Sequence, residues 1–160
     1  MNNPNWFEPS PVLDGLAQVV IAAALEVHRS LGPGYLESLY EEALAIEFAA
    51  RRVAFVRQAK ISVDYKGHRI GEGRADFLVG GELLVELKTV DQLAAIHKAQ
   101  VISYMKALGL RLGLLINFNV PVLRDGIRRI VLSSPGSGRQ LHTREESNRQ
   151  DAMPPPEGRG

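Results

Sequence analysis

The stretch Arg74 to Lys88, RADFLVGGELLVELK, reads as two apolar strands joined at Gly80-Gly81, with Asp76, Glu86 and Lys88 set inside them. Strands covered on both faces normally read as near-continuous Val/Ile/Leu runs, so buried polar groups there need a reason. A pair of carboxylates offers only hard oxygen ligands, which suits Mg²⁺ or Mn²⁺, ions that keep several waters and also take phosphate oxygens. A neighbouring ammonium offsets charge developing on such a phosphate. The competing reading is that the carboxylates and the lysine pair with one another on a solvated sheet face.

Register separates the two readings. Glu86 and Lys88 are two apart on a strand and share a face. A two-residue turn at Gly80-Gly81 pairs Val79 with Glu82 and sets Asp76 opposite Val85, away from Glu86. A three-residue connection or a bulge, which glycine in the left-handed region permits, pairs Val79 with Leu83 and Asp76 with Glu86. In that register the carboxylates lie about 5 Å apart and repel by about 3 kcal/mol at an effective dielectric near 20, which leaves one protonated unless a cation or Lys88 sits between them.

The flanking segments carry further polar residues. His97, Gln100 and Tyr104 fall at i, i+3 and i+7, one stripe of a helix and a candidate cleft lining. Glu37 stands in the first turn of another helix, where the helix dipole alone accounts for a carboxylate. His28, without a partner at metal-ligand spacing, reads as structural. From Arg51 to Arg74 seven basic residues face only Asp64 and Glu72, a segment that attracts phosphate if its charges share a face and is a solvated edge if they do not. Arg74, two before Asp76, is a candidate contact to a nucleic-acid backbone.

These residues need a scaffold. The chain has 160 residues, 45% hydrophobic content, a formal net charge of +1 and no cysteine. That bounds it to one domain, with neither disulfides nor thiolate metal sites, and the net charge decides nothing about partners. Residues 1–13 read as an irregular arm, 14–132 as the domain and 133–160 as a disordered tail. The longest apolar run, Val19 to Leu25, is short of a bilayer span and no basic-then-apolar leader is evident, so a soluble, cytoplasmic protein without membrane partners is expected.

The pattern predicts a helix from Asp14, as N-cap, to Leu31, stopped by Gly32-Pro33-Gly34, and a second from about Leu36 to Arg51. Leu39, Ala43, Leu44, Ile46 and Phe48 are the second helix's expected core side, with Tyr40 unplaced. Strands follow over 53–79 as an antiparallel meander, then Leu83 to Val90, a helix from about Gln92 to Leu108, and a buried strand Leu112 to Asn117. Ile96, Ala99, Val101, Met105 and Leu108 are the expected core side of that helix. As a crossover it should set the buried strand parallel to its predecessor. A last strand, Ile127 to Leu132, closes an α/β fold of α+β character.

Asp76 with Glu86-Leu87-Lys88 resembles the D…(D/E)-x-K core of the PD-(D/E)XK nuclease superfamily, and Gln100-x-x-x-Tyr104 resembles the Q-x-x-x-Y element of its exonuclease-like branches. Gly34-Tyr35-Leu36-Glu37-Ser38-Leu39-Tyr40 spells G-x-x-E-x-x-Y. From VHRSLGPG through RADFLV, VELK, IHKAQ and GLLINF the chain is similar to the GxxExxY family of that superfamily. The resemblance implies a restriction-endonuclease-like core, a central mixed β-sheet flanked by helices, and a Mg²⁺- or Mn²⁺-dependent nuclease acting on DNA or RNA. It implies metal ligands at Asp76, Glu86, the Leu87 carbonyl and Glu37, a catalytic Lys88, and Gln100 and Tyr104 orienting Lys88 or a phosphate. A non-catalytic nucleic-acid- or protein-binding module on the same fold stays open, as does a hydrolase of smaller phosphoesters. The edges of a small sheet also allow a homodimer.

Overall fold

The computed structural model describes residues 8–133, and the expected disordered tail lies outside the described residues except at its first position. The chain runs α1 (Pro11–Leu31), α2 (Glu37–Ala50), β1 (Phe55–Tyr65), β2 (His68–Val79), β3 (Leu83–Lys88), α3 (Ala95–Leu108), β4 (Leu112–Asn117), a 3₁₀ turn (Leu123–Gly126) and β5 (Ile127–Val131).

Helix α1 begins three residues before the expected boundary, so residues 11–13 are helical, while residues 1–7 of the expected irregular arm lie outside the described residues. Ser10, not Asp14, is the N-cap: its hydroxyl accepts the Leu13 N–H at 3.2 Å, and Pro11 supplies a preset first helical φ. Asp14 stands in the first turn and pairs with Arg129 of β5. Among the described residues, α1 is the one helix that by length and composition would pass for a membrane span, a test that core helices also pass. Its Leu13, Ala17, Val20, Ala23, Ala24 and Val27 are buried in the main core.

In α2 the buried residues are Tyr40, Leu44, Ala45 and Phe48, whereas Leu39 and Ile46, expected in the core, are 49% and 63% exposed. The helix is turned by about one position because Tyr40 goes inward. Its ring stacks on Phe118 with centroids 4.5 Å apart, and its hydroxyl donates to the Gly32 carbonyl and accepts the Tyr35 N–H at 3.2 Å. An aromatic ring gains its area inside while its polar tip is satisfied by the Gly-Pro-Gly turn.

The five strands form one sheet in the order β1-β2-β3-β4-β5. Only β3 and β4 are parallel, joined by α3, so the sheet is mixed as expected. One face, with Phe77, Val79, Leu83, Val85, Leu87, Leu112, Leu114 and Ile116, packs under α1 and α2. The other, with Ala59, Ile61, Ala75, Leu84, Leu115 and Ile130, meets α3, which buries only Val101 and Met105; Ile96, expected in the core, is 70% exposed.

Strands β2 and β3 pair Val79 with Leu83 and Phe77 with Val85. The connection is therefore Gly80-Gly81-Glu82, with both glycines at positive φ, 58° and 71°. This is the register that brings Asp76 and Glu86 together.

Tyr40→Phe removes the group that fastens the turn to α2 and leaves two backbone groups unpaired. We expect a loss of about 1–2 kcal/mol, read as a lower urea midpoint with an unchanged slope.

Candidate active site

The β2–β3 ladder ends at Phe77 and Val85, and beyond that pair the strands part. Two carboxylates occupy the gap. Asp76 donates its backbone N–H to Glu86 Oε1 at 3.0 Å, and Leu87 donates its N–H to Asp76 Oδ2 at 2.7 Å. Side chains thus stand where backbone acceptors would otherwise continue the sheet. Asp76 and Glu86 are 9% and 4% exposed, which removes the alternative of a solvated ion-paired face. In an antiparallel pair a residue's N–H and C=O point to the same neighbour, so the Leu87 carbonyl also faces the gap.

A break in strand alternation makes this possible. Phe77 belongs to the core under α1 and α2, yet Ala75, two residues earlier, belongs to the core against α3. The flip occurs at Asp76, opposite Gln58, which has φ 48° and no ladder partner. Counting by twos across the break therefore does not fix the face of Arg74. That residue is exposed on β2, its guanidinium 3.8 Å from Glu72.

Lys88, at the end of β3, turns to α3. Its Nζ donates to Gln100 Oε1 at 3.2 Å, and Gln100 Nε2 donates weakly to the Tyr104 hydroxyl at 3.4 Å. Tyr104 in turn lies over Gly73 of β2, where a Cβ would come within 2.9 Å of its ring. His97, grouped with these residues by spacing, does something else: its Nδ1 accepts the Ala94 N–H at 2.9 Å and caps α3. His28 is structural, its Nε2 2.8 Å from the Val120 carbonyl.

Three residues of this region had no motif to announce them. Gln58 Nε2 lies 3.0 Å from Glu41 Oε2 and 3.4 Å from Asp76 Oδ1. Glu41 is one helical turn after Glu37 and could have been found by that i, i+4 spacing alone. Buried Asn117 donates Nδ2 to the Val90 carbonyl at 2.8 Å and accepts the Val90 N–H at 3.1 Å, fixing the segment that follows Lys88.

The electrostatics are those of too many acids. Burial, then the Asp76 charge, pushes the Glu86 carboxyl up to about 8, against the Asp76 N–H and Lys88, which pull it down. Asp76 is also raised, by burial first and by Glu41, while the Leu87 N–H, Lys88 and Gln58 oppose the shift. Glu37 is raised by burial and by Asp76, which places it within electrostatic reach of the pair. Among the described residues no three carboxylates or imidazoles converge tightly enough to hold a metal by themselves. Asp76 and Glu86 come together; Glu37 joins them only at a distance. Each of the pair keeps one oxygen free of backbone, and with the Leu87 carbonyl they make an all-oxygen, partly open donor set. That set fits Mg²⁺ or Mn²⁺ completed by water, and a cation there relieves the repulsion.

A family model for the PD-(D/E)XK nuclease superfamily matches residues 14–130. No curated protein matches the chain.

The raised Glu86 fixes the sign of a pH dependence. Its stabilising contribution is complete below the unfolded carboxyl range near pH 4.5 and is lost as pH rises through 8, because the folded state holds a proton that the unfolded chain has released. The metal-free protein should lose stability from pH 5 to 8 by up to about 1.4 kcal/mol per pH unit from this group. Glu86→Gln should flatten that slope and unfold at a higher temperature than wild type at pH 8. Thermal unfolding at several pH values checks both, and an unchanged slope would refute the assignment.

Proposed function

Because the chain belongs to the PD-(D/E)XK nuclease superfamily, we propose that it hydrolyses phosphodiester bonds of DNA or RNA with Mg²⁺ or Mn²⁺, and that Gly34 to Tyr40 marks it as a GxxExxY member. The observation that carries the reading is the buried Asp76–Glu86 pair at the strand divergence, with Lys88 one face-repeat further on and held by α3. A cytoplasmic location is part of the same proposal.

Asp76, Glu86 and the Leu87 carbonyl would hold the cation, and Glu37 would reach it through water. Once bound, a divalent cation acidifies a water and polarises a phosphoryl oxygen. The chain's own groups supply the rest. Lys88 carries a positive charge to the mouth of the gap, where it meets charge developing on the phosphate or orients the attacking water. Gln100 fixes the direction of that ammonium, and Tyr104 fixes the Gln100 amide. Glu37, with its carboxyl raised by burial and by Asp76, would take a proton from that water. Arg74, exposed on β2, is a contact for a backbone phosphate outside the reacting centre.

Wild type and Lys88→Ala should be assayed on single-stranded, duplex and structured DNA and RNA with each metal. Lys88→Ala is expected to lower the cleavage rate by about 10²–10³-fold, the cost of one transition-state charge, with metal affinity retained. If wild type cuts no polymer, the binding-module reading of the fold replaces this one. Gly73→Val should push Tyr104 off β2 and slow cutting by about tenfold, since the Gln100 and Lys88 positions depend on that ring. A wild-type rate in this variant would remove Tyr104 from the positioning chain.

A further inference from the structure

We propose that Gln58 is a positioning residue for Asp76, a clamp whose single amide nitrogen holds two carboxylates that would otherwise push each other apart. The inference deepens the nuclease reading and rests on it for its catalytic consequence.

Three observations converge on Gln58. Its backbone is left-handed, φ 48°, a region that costs a non-glycine residue about 1–2 kcal/mol and is occupied where surroundings impose it. The ladder on either side is regular, Arg57 with Phe77 and Ala59 with Ala75, yet Gln58 and Asp76 between them do not pair. The left-handed step thus changes which side chains face α3 in both strands at once, at the residue pair that includes Asp76. Third, Nε2 lies 3.0 Å from Glu41 Oε2 and 3.4 Å from Asp76 Oδ1. A primary amide nitrogen has two hydrogens, one for each oxygen.

The clamp is anchored away from the site. Glu41 also takes Arg57 at 3.2 Å, and Arg57 reaches Glu42 at 2.9 Å, so α2 and β1 are tied by charge just outside Gln58. Asp76 Oδ2 is meanwhile held by the Leu87 N–H. With both oxygens under a donor, the Asp76 carboxylate has one orientation. Without Gln58, Oδ1 loses its donor while the Glu41 charge stays near, and the carboxylate is free to turn off the Leu87 N–H.

Two variants separate this role from a merely structural one. Gln58→Gly relaxes the left-handed backbone and removes the amide; Gln58→Met keeps the length and the backbone strain but has no donor. Three measurements apply to the full chain: unfolding temperature, Mn²⁺ affinity by calorimetry, and exchange of the Leu87 amide hydrogen. Gln58→Gly is expected to unfold within about 4 °C of wild type, because glycine adopts this backbone freely. Both variants should bind Mn²⁺ about 10–100-fold more weakly, the usual cost of losing a group that orients a metal ligand. In both, the Leu87 N–H should exchange at least about tenfold faster, since its acceptor moves.

Wild-type exchange at Leu87 in both variants would overturn the proposal, whatever the protein does with metal. If wild type binds no Mn²⁺ and cuts nothing, the nuclease reading fails; the Leu87 amide still decides whether Gln58 holds Asp76. Faster exchange confined to Leu87 and its neighbours supports the clamp, and faster exchange throughout the sheet assigns Gln58 to general stability and rejects it.

Discussion

The structure depends on a substitution of side chain for backbone. Where β2 and β3 part beyond Phe77 and Val85, Asp76 and Glu86 accept the N–H groups of Leu87 and Asp76. A buried N–H without a partner costs about as much as a lost hydrogen bond, so the sheet at this point cannot do without its carboxylates. Those carboxylates in turn carry a desolvation cost that raises both. The same two side chains therefore seal the sheet and charge the gap, and a proton on Glu86 or a cation eases the second without disturbing the first.

The rest of the fold holds that gap open in a fixed shape. β3 is central, paired with β2 on one side and β4 on the other, and its end is tied by the Phe118 N–H to the Lys88 carbonyl at 2.9 Å. Asn117, at the end of β4, grips Val90. Tyr40 fastens the Gly-Pro-Gly turn and sets the rotation of α2 that brings Glu37 and Glu41 to the site. On the opposite face α3 buries Val101 and Met105 and lays Ile102 and Leu108 against the same cluster, while its half-buried Gln100 and Tyr104 serve Lys88.

Much of this was legible in the sequence, and the misses share a cause. Period-two and period-3.6 patterns place the strands β3 and β4, the helices and the parallel crossover, because long apolar runs leave few alternatives. The spacing of Asp76, Glu86 and Lys88 isolates the site once the Gly80-Gly81 connection is three residues long. Tertiary context decides what local pattern does not. Leu39 and Ile46 look like core until Tyr40 claims the inward position through Phe118 and Gly32. Ser10 caps α1 although Asp14 is the residue nearer the periodic run. Gln58 carries no signal at all: a left-handed glutamine in a strand is fixed by its partners, Glu41 and Asp76, which lie 17 and 18 residues away.

The charge map also refines how a nucleic acid would meet the site. The basic excess between Arg51 and Arg74 is largely spent at home: Arg51 on Glu47, Arg57 on Glu41 and Glu42, Arg69 on Glu72, with Arg74 near Glu72 as well. Against this, Glu37, Glu41, Asp76 and Glu86 gather at the gap with Lys88 as the ammonium that acts on three of them. Such a site repels a phosphate until protons or a cation offset its acids. On the proposed reading, divalent metal then serves twice over: for the chemistry of the water and, beside the proton on Glu86, for the approach of the polyanion to a cleft lined by acids.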